Sequence, residues 1–496
     1  MDFYNRLEKY ILAPSLKEAK ILFAIILSIT LGGTLLISPL YTVPAILVLI
    51  SIFAILINPF TGLIIYVLSF LIPPGYNVGF IIFGITALSW VARLLSKQNS
   101  RKNLIRSPLN WIVVGLYVAA LIPAIFVDGV LENYLENPKD PLLILVHTLS
   151  VIIIMNMIDS IKKINSIIWA MVAVGVTLGL ISAVQFFSGT HIGTSYEYLT
   201  MNAMIVDQIF GDIRRATSVF GDAPTTGYFL QTFFFLFLGK IFEEETRFKK
   251  LFFLISSLLL AFGIFATLSR AVWLSSTIVF IYWRIKKGIT FKELLITPLV
   301  ISVIFFAFQE KIEQRIYQTF VGGDYKQDEI YEQKAEIKRF IDSPFLGTGL
   351  GSKNEFEVLR PYLEAEGLFY YVDYDEDKEV SRLNVNTQEE QFTTTSFYTG
   401  IAVQLGIYGL ILLLFVIVYT WFALTKAEKI SKSIKNNWLY NLTLGLKASF
   451  LGQIIYLARG NPTFKLFWLM VGVSLALSFL LKTKYNSEIL NRHIQH

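Results

Sequence analysis

Long apolar runs alternate with short polar segments along nearly the whole chain. A helix needs about 20 apolar residues to cross roughly 30 Å of hydrocarbon, and the runs at 60–73 and 270–284 are short, so we predict about 14 (12–14) transmembrane helices. They lie near residues 21–38, 41–57, 60–73, 78–95, 109–127, 141–158, 166–188, 224–241, 250–268, 270–284, 292–308, 396–424, 438–458 and 463–481.

Composition agrees with this pattern. Hydrophobic residues make up 54% of the 496-residue chain and charged residues only 16%, whereas a soluble domain carries about a quarter charged residues. The predicted fold class is therefore an all-α, polytopic integral membrane protein with a large extracytoplasmic loop domain. The formal charge of +6 does not indicate nucleic acid, because most basic residues flank the predicted spans.

The pattern divides the chain into five parts. We predict a cytoplasmic amphipathic segment that is not a cleavable signal (1–20), transmembrane helices 1–11 with an outer loop at 189–222 (21–308), a large extracytoplasmic loop (309–395), transmembrane helices 12–14 (396–481) and a cytoplasmic tail (482–496). Because basic residues cluster at alternate connections, both termini are predicted to face the cytoplasm, in a multi-pass protein of the cytoplasmic (inner) membrane.

Four arginines depart from the positive-inside rule, by which basic residues mark the cytoplasmic side. Arg214, Arg215, Arg270 and Arg459 fall in short connections predicted to face outward. A guanidinium group binds diphosphate oxygens in a bidentate manner, which would explain arginines at these positions. The alternative is that they reach lipid headgroups or form structural ion pairs.

Arg270 is predicted to lie at the tip of a hairpin. As one helix, residues 250–284 would be about 50 Å long, too long for a single crossing. Both ends of this segment are basic and therefore belong on the same side of the membrane. A tight turn at Ser269-Arg270 gives two helices short enough to cross the membrane and places both basic ends on the same side.

The loop at 309–395 contains elements that predict a folded cap. DEIYEQKAEIKRFIDS has the period of an amphipathic helix, with Ile330, Ala335, Ile337 and Phe340 as its apolar stripe. The glycines of GTGLGS (347–352) follow. They lack the strand and spacing of a phosphate-binding loop, so we interpret them as a turn that orders the cap.

Metal and cofactor chemistry is not indicated. The chain has no cysteine, and its four histidines, at 147, 191, 493 and 496, are scattered. Ligands for structural or catalytic zinc come mainly from clustered Cys and His. We therefore expect no metal site and no cofactor.

Four stretches of residues 200–424 resemble the superfamily of bacterial O-antigen ligases and O-antigen polymerases. They are RATSVFGDAPTTGYFL, TLSRAVWL, FIDSPFLGTGLGS and TSFYTGIAVQLGIYGLILLL, in the order of the family's motifs. The last contains the Gly-x-x-Gly pair Gly406 and Gly409. The motifs are loose singly and fairly specific together.

The resemblance implies an enzyme that uses a lipid-pyrophosphate-linked glycan as donor on the outer membrane face. Arg215 and Arg270 match the family's pyrophosphate-binding arginines, and Arg214 and Arg459 would assist them. Guanidinium groups held in place can stabilise the negative charge that develops on a departing diphosphate, and they need no metal to do so.

The chain departs from the family at the end of the large loop. Ligases carry a histidine there, whereas this chain has Thr393, Thr394, Thr395 and Ser396, and Gln404 stands where many members have an acidic residue. The departure favours polymerases and the exopolysaccharide or teichuronic-type members of the superfamily. The catalytic base would be another residue, and Asp222 and Asp342 lie within the matching motifs.

The sequence thus predicts a metal-independent glycosyltransferase, inverting or retaining, that polymerises or ligates polyprenyl-pyrophosphate-linked repeat units. Its partners would be the glycan donor and acceptor, membrane lipids, and chain-length regulator or export proteins, with no nucleic acid. The alternatives are a transporter or flippase of an anionic or lipid-linked solute, and a structural role in an export complex.

Overall fold

The computed structural model describes residues 39–72, 78–95, 107–136, 139–190, 215–241, 246–288, 309, 323–350, 361–362, 396–458 and 464–494. Within them lie fourteen α-helices and two short 3-10 helices, Ser69–Leu71 and Ser218–Phe220. The α-helices are α1 (Pro39–Ile57), α2 (Pro59–Leu68), α3 (Val78–Leu95), α4 (Pro108–Phe126), α5 (Val130–Glu136), α6 (Lys139–Met157), α7 (Ile161–Ser188), α8 (Ala223–Ile241), α9 (Arg247–Ala266), α10 (Arg270–Lys287), α11 (Gly323–Asp342), α12 (Phe397–Ser433), α13 (Asn437–Leu457) and α14 (Phe464–Ile494).

Most of these helices coincide with predicted spans. The two helices that do not are α5 and α11, which belong to predicted outer connections. The predicted spans at 21–38 and 292–308 lie outside the described residues. The described chain is thus all-helical, as expected.

Several helices are suited to a bilayer. Among the described helices, five have the length and apolar composition to cross it: α4, α7, α9, α12 and residues Lys465–Thr483 of α14. Large apolar side chains also lie on the outside of the bundle, including Trp111, Ile125 and Phe187, each more than two-thirds exposed. Such exposure is favourable against lipid tails and costly in water. The chain is a multi-pass helical membrane protein.

The centre of the bundle is the contact between α8 and α13. Nearly every residue of α8 is buried, and α13 is buried over most of its length. The two helices approach closely at Gly239 and Gly445, where a Cβ added to Gly239 would lie 2.9 Å from the Asn441 carbonyl oxygen. Small residues at such crossings allow helices in a membrane to pack backbone to backbone.

The helices α9 and α10 form the predicted hairpin. α9 ends at Ala266 and α10 begins at Arg270, so only Thr267, Leu268 and Ser269 connect them. Leu268 takes the left-handed backbone conformation, with φ of 49°. This conformation is unfavourable for residues other than glycine, because the β-carbon comes too close to the following carbonyl oxygen. The prediction of a tight turn at Ser269-Arg270 is confirmed.

The long helix α12 is broken near its start. Its 37 residues would extend about 55 Å, but Gly406 has non-helical angles of φ 66° and ψ −168°. The backbone groups freed there are bonded by the preceding loop: Ile407 N donates to Pro344 O at 2.7 Å, and Thr348 N donates to Val403 O at 2.8 Å.

Glycine is required on both sides of this junction. A Cβ at Gly347 would lie 2.0 Å from the Gln404 carbonyl oxygen, and Gly406 has a positive φ that L residues rarely adopt. Residues 344–349 therefore dock into the break in α12. This agrees with the expectation that the glycines of GTGLGS order the loop.

The helix α11 packs on the first turns of α12. Ala335 and Val403 are buried against each other, and Phe340 packs beside them. Ile337, predicted in the same apolar stripe, is instead 48% exposed, so that part of the prediction is wrong. The buried neighbour is Glu336, whose carboxylate accepts a hydrogen bond from the Thr399 hydroxyl. The face of α11 that contacts α12 thus carries Ala335 and Glu336 and leaves out Ile337.

Replacing Gly239 with leucine should destabilise the bundle by about 1–3 kcal/mol, because the side chain would force α8 and α13 apart. The measurement is thermal unfolding of the purified protein in detergent. Gly84→Leu is the matched control, since a Cβ at Gly84 meets nothing within 4 Å. Equal melting temperatures for the two variants would contradict the close crossing.

Candidate functional site

Two turns meet at one end of the bundle and bring the predicted arginines together. Arg215 Nε donates to the Thr267 carbonyl at 3.1 Å, and Ala216 N donates to the Ala266 carbonyl at 3.0 Å. Arg270 begins α10 three residues after Thr267. Both arginines are half-buried. We call this region, with Arg215, Arg270 and Asp222, the arginine end.

A buried glutamine holds the first of these turns. Gln185 Oε1 accepts hydrogen bonds from Thr217 N at 2.9 Å and Ser218 N at 2.7 Å. Its Nε2 donates to the Ser218 carbonyl at 3.1 Å. One side chain from α7 thus satisfies three backbone groups of an irregular segment, which buried backbone requires. Gln185 fixes the path of the chain between Arg215 and α8.

Asp222 caps α8. Its Oδ2 accepts from Thr225 N at 2.8 Å, and its carbonyl accepts from the Thr226 hydroxyl at 2.9 Å. An aspartate before a helix with proline in its first turn is a strong N-terminal signal. The carboxylate is half-buried, and Asp222 and Arg215 both interact electrostatically with Tyr456 on α13.

Three tyrosines from three helices interact with one another here, and one of them, Tyr456, interacts with Asp222 and Arg215. The rings of Tyr228 (α8) and Tyr456 (α13) are 5.1 Å apart, and Tyr398 (α12) also interacts electrostatically with Tyr228. Tyr398 OH donates to the Ile454 carbonyl at 2.9 Å. Tyr228 OH is buried and has no hydrogen-bond partner among the described residues. The site therefore combines charged groups with neutral hydroxyl donors.

Backbone strain marks the same turns. In the described part of the chain, the non-glycine residues with positive φ are Ser218 (47°), Leu268 (49°) and Lys435 (55°). Such conformations cost roughly 1–3 kcal/mol each and are concentrated at functional sites. Ser218 lies three residues after Arg215, and Leu268 lies two residues before Arg270.

Asp342 lies in a different contact from Asp222. It ends α11, where its side chain is exposed and forms a hydrogen bond with Tyr362. Burial, together with this hydrogen bond, raises the pKa of Tyr362. Asp342 thus joins two parts of the large loop, which is a structural role.

Two predicted site residues lie outside the described residues. Arg214 directly precedes Arg215, and Arg459 follows Ala458, three positions after Tyr456. The structure therefore brings together Arg215, Arg270 and Asp222 from the predicted set, and it adds Tyr456, Tyr228 and Gln185.

Sequence reasoning missed these three and also Glu336. The sequence does offer an indication for Gln185, because a polar side chain inside an apolar span needs a hydrogen-bond partner there. No feature of the sequence indicates that Glu336 is buried, since charged residues of an amphipathic helix are usually exposed to solvent. The two tyrosines could not be identified from the sequence either, because tyrosine is common at both membrane interfaces.

The arginine end places two arginines on neighbouring turns. A guanidinium group can bind the oxygens of a diphosphate in a bidentate manner. Asp222 offers a second carboxylate oxygen beyond the one that caps α8. Among the described residues, no group of three or more His, Cys, Asp or Glu side chains could hold a metal ion.

No protein-family model and no curated protein sequence matches this chain.

Replacing Gln185 with leucine should destabilise the protein by about 2–4 kcal/mol, because buried backbone groups would lose their partners. Thr177→Val is the control on the same helix, since the Thr177 hydroxyl only bonds back to Ala173 within α7. Thermal unfolding in detergent would compare the two. A Gln185→Leu protein as stable as Thr177→Val would show that Gln185 does not support the turn.

Proposed function

We propose that this protein is a membrane glycosyltransferase that polymerises, or ligates, polyprenyl-pyrophosphate-linked oligosaccharide repeat units into a cell-surface polysaccharide. The observation that carries the proposal is the meeting of Arg215 and the Arg270 turn beside Asp222. The motif resemblance to O-antigen ligases and polymerases supports the same reaction.

The proposal includes an orientation. Both termini would face the cytoplasm, with 12 to 14 spans crossing the cytoplasmic membrane, so that the arginine end faces outward. Basic side chains at the opposite ends of α10 and α12, such as Lys286 and Lys432, support this direction. A donor carried on the outer leaflet would then present its diphosphate beside Arg215 and Arg270.

In the proposed reaction an acceptor hydroxyl attacks the anomeric carbon of the donor. The bond between that carbon and the diphosphate oxygen breaks, and polyprenyl diphosphate leaves. Arg215 and Arg270, assisted by Arg214 and Arg459, stabilise the charge that develops on the leaving group. The proton of the acceptor passes to a base, and Asp222 is favoured because its carboxylate and Arg215 both act electrostatically on Tyr456.

The large loop would close over the glycans. The docking of residues 344–349 at Gly406 and the packing of Glu336 against Thr399 hold the loop at the start of α12. A rigid attachment here would keep a donor and an acceptor aligned. The absence of the ligase histidine at 393–396 favours transfer to a second lipid-linked glycan, as in a polymerase.

Arg215→Ala and Arg270→Ala should each lower polymer formation by about 100- to 1,000-fold, as expected for loss of a preorganised charge donor. Lysine at either position should restore only part of the activity, because an ammonium group cannot bind in a bidentate manner. The readout is a glycan ladder on a gel, from purified protein and lipid-linked oligosaccharide.

Arg247→Ala is the matched control for these variants. Arg247 begins α9 at the end opposite the hairpin turn and is exposed. It should leave the ladder unchanged. A full-length ladder from well-folded Arg270→Ala protein would eliminate the proposed diphosphate site.

Asp222→Asn separates catalysis from folding. Asparagine caps a helix about as well as aspartate, so the melting temperature should stay close to that of the wild type. Loss of the base should nevertheless lower the rate of glycan transfer by about 100-fold or more. Asp342→Asn is the control, and it should retain the wild-type rate. Equal rates for both variants would exclude Asp222 as the base.

Transport of an anionic or lipid-linked solute is the second candidate. The observation that favours it is an ion pair between spans, in which buried Lys447 donates to Glu428 at 2.6 Å. Ionisable pairs inside membrane helices often mark ion or substrate pathways. Proteoliposomes that move labelled lipid-linked glycan across the membrane, without extending it, would favour transport over glycan transfer.

A further inference from the structure

A second basic site lies at the end of the bundle opposite the arginine end. A pocket of about 510 Å³ lies between the C-terminal ends of α10 and α12 and the start of α13. Four lysines line it, Lys286, Lys287, Lys432 and Lys435, together with Asn437 and Asn441. We call this the lysine pocket. None of its lining residues is acidic.

The charge of the lysine pocket is only partly balanced. Lys286 Nζ lies 3.4 Å from Glu428 Oε1, while Glu428 Oε2 binds Lys447 at 2.6 Å. One glutamate is thus shared by two lysines. Lys287 donates to the amide oxygen of Asn441. Within the described part of the chain, no ion pair joins Lys432 or Lys435 to an acid.

The positive-inside rule alone does not explain this arrangement. Lys286, Lys432 and Lys435 are exposed, as lysines that mark topology are. Together with Lys287 they also line one concavity, from the ends of two helices and the turn after α12. Lys435 lines the pocket from a left-handed backbone conformation, with φ of 55°. Asparagine or glycine adopts this conformation more easily, so the lysine is present despite a local cost.

The turn that carries Lys435 is rigid. Lys435 N donates to the Lys432 carbonyl at 3.1 Å, and Asn436 N donates to the Ser431 carbonyl at 3.3 Å. Asn436 then caps α13 by accepting from Leu439 N at 3.0 Å. The pocket is therefore already formed, and a ligand would not have to order it.

We propose that the lysine pocket binds a phosphate group with at least two negative charges. Ammonium groups bind phosphate as point charges, and the asparagine amides supply neutral donors. The N-terminus of α13 adds the positive end of a helix dipole. A volume of about 510 Å³ holds a diphosphate or a phospholipid headgroup. The ligand is either a soluble phosphate compound or an anionic lipid, and both share this chemistry.

Binding is tested with the purified full-length protein in neutral detergent. Inorganic pyrophosphate is titrated by calorimetry, and retention of phosphatidic acid against phosphatidylcholine is measured by native mass spectrometry. Lys432→Gln/Lys435→Gln should weaken binding at least about tenfold, since two charge-assisted contacts are lost. Lys249→Gln/Lys250→Gln is the control, because these exposed lysines begin α9 and do not line the pocket.

Each outcome decides the proposal. Pyrophosphate binding that Lys432→Gln/Lys435→Gln abolishes supports a soluble phosphate ligand, and selective loss of phosphatidic acid alone supports a lipid headgroup. Absence of binding by both probes overturns the proposal. Equal loss in the control variant also overturns it, because the effect would then come from net charge. Glycan transfer by the arginine end is independent of all these results.

Discussion

Backbone hydrogen bonding in a medium without water is the constraint on which the rest of this structure depends. At two places where a helix begins or breaks inside the bundle, another segment supplies the missing partners. Gln185 bonds the turn before α8, and residues 344–349 bond the backbone at Gly406. These two contacts hold loop segments firmly against helix ends. They therefore determine where charged side chains can be presented at the arginine end.

The same shortage of water governs the buried cations. Lys240 donates to Asn165 at 2.8 Å and lies over the Trp438 ring, while Lys447 pairs with Glu428 and lies 4.6 Å from the centre of the Trp421 ring. Each ammonium group thus has a polar partner and an aromatic face, which together offset part of the cost of burial. Their partners Asn165, Trp438 and Glu428 all lie toward the lysine pocket's end of the bundle.

The candidate site was predictable where local chemistry carries a signal. Asp222 before Ala223-Pro224 has the pattern of a helix cap, and Arg270 follows from hairpin length and charge. Gln185 was not placed, because its partners are more than thirty residues away in the chain. Ile337 is exposed against expectation, while Glu336 beside it is buried and bonded by Thr399.

The sequence by itself determined the helical class, the membrane environment and the turn between α9 and α10. These follow from the lengths of apolar runs and from charge, which act locally and repeat along the chain. Only the tertiary structure decided that Arg215 binds the turn before Arg270, that a loop segment fills the break at Gly406, and that four lysines share one pocket. Such contacts depend on which distant segments form hydrogen bonds and charge interactions with each other. The periodicity of residues along the chain does not indicate which segments these are.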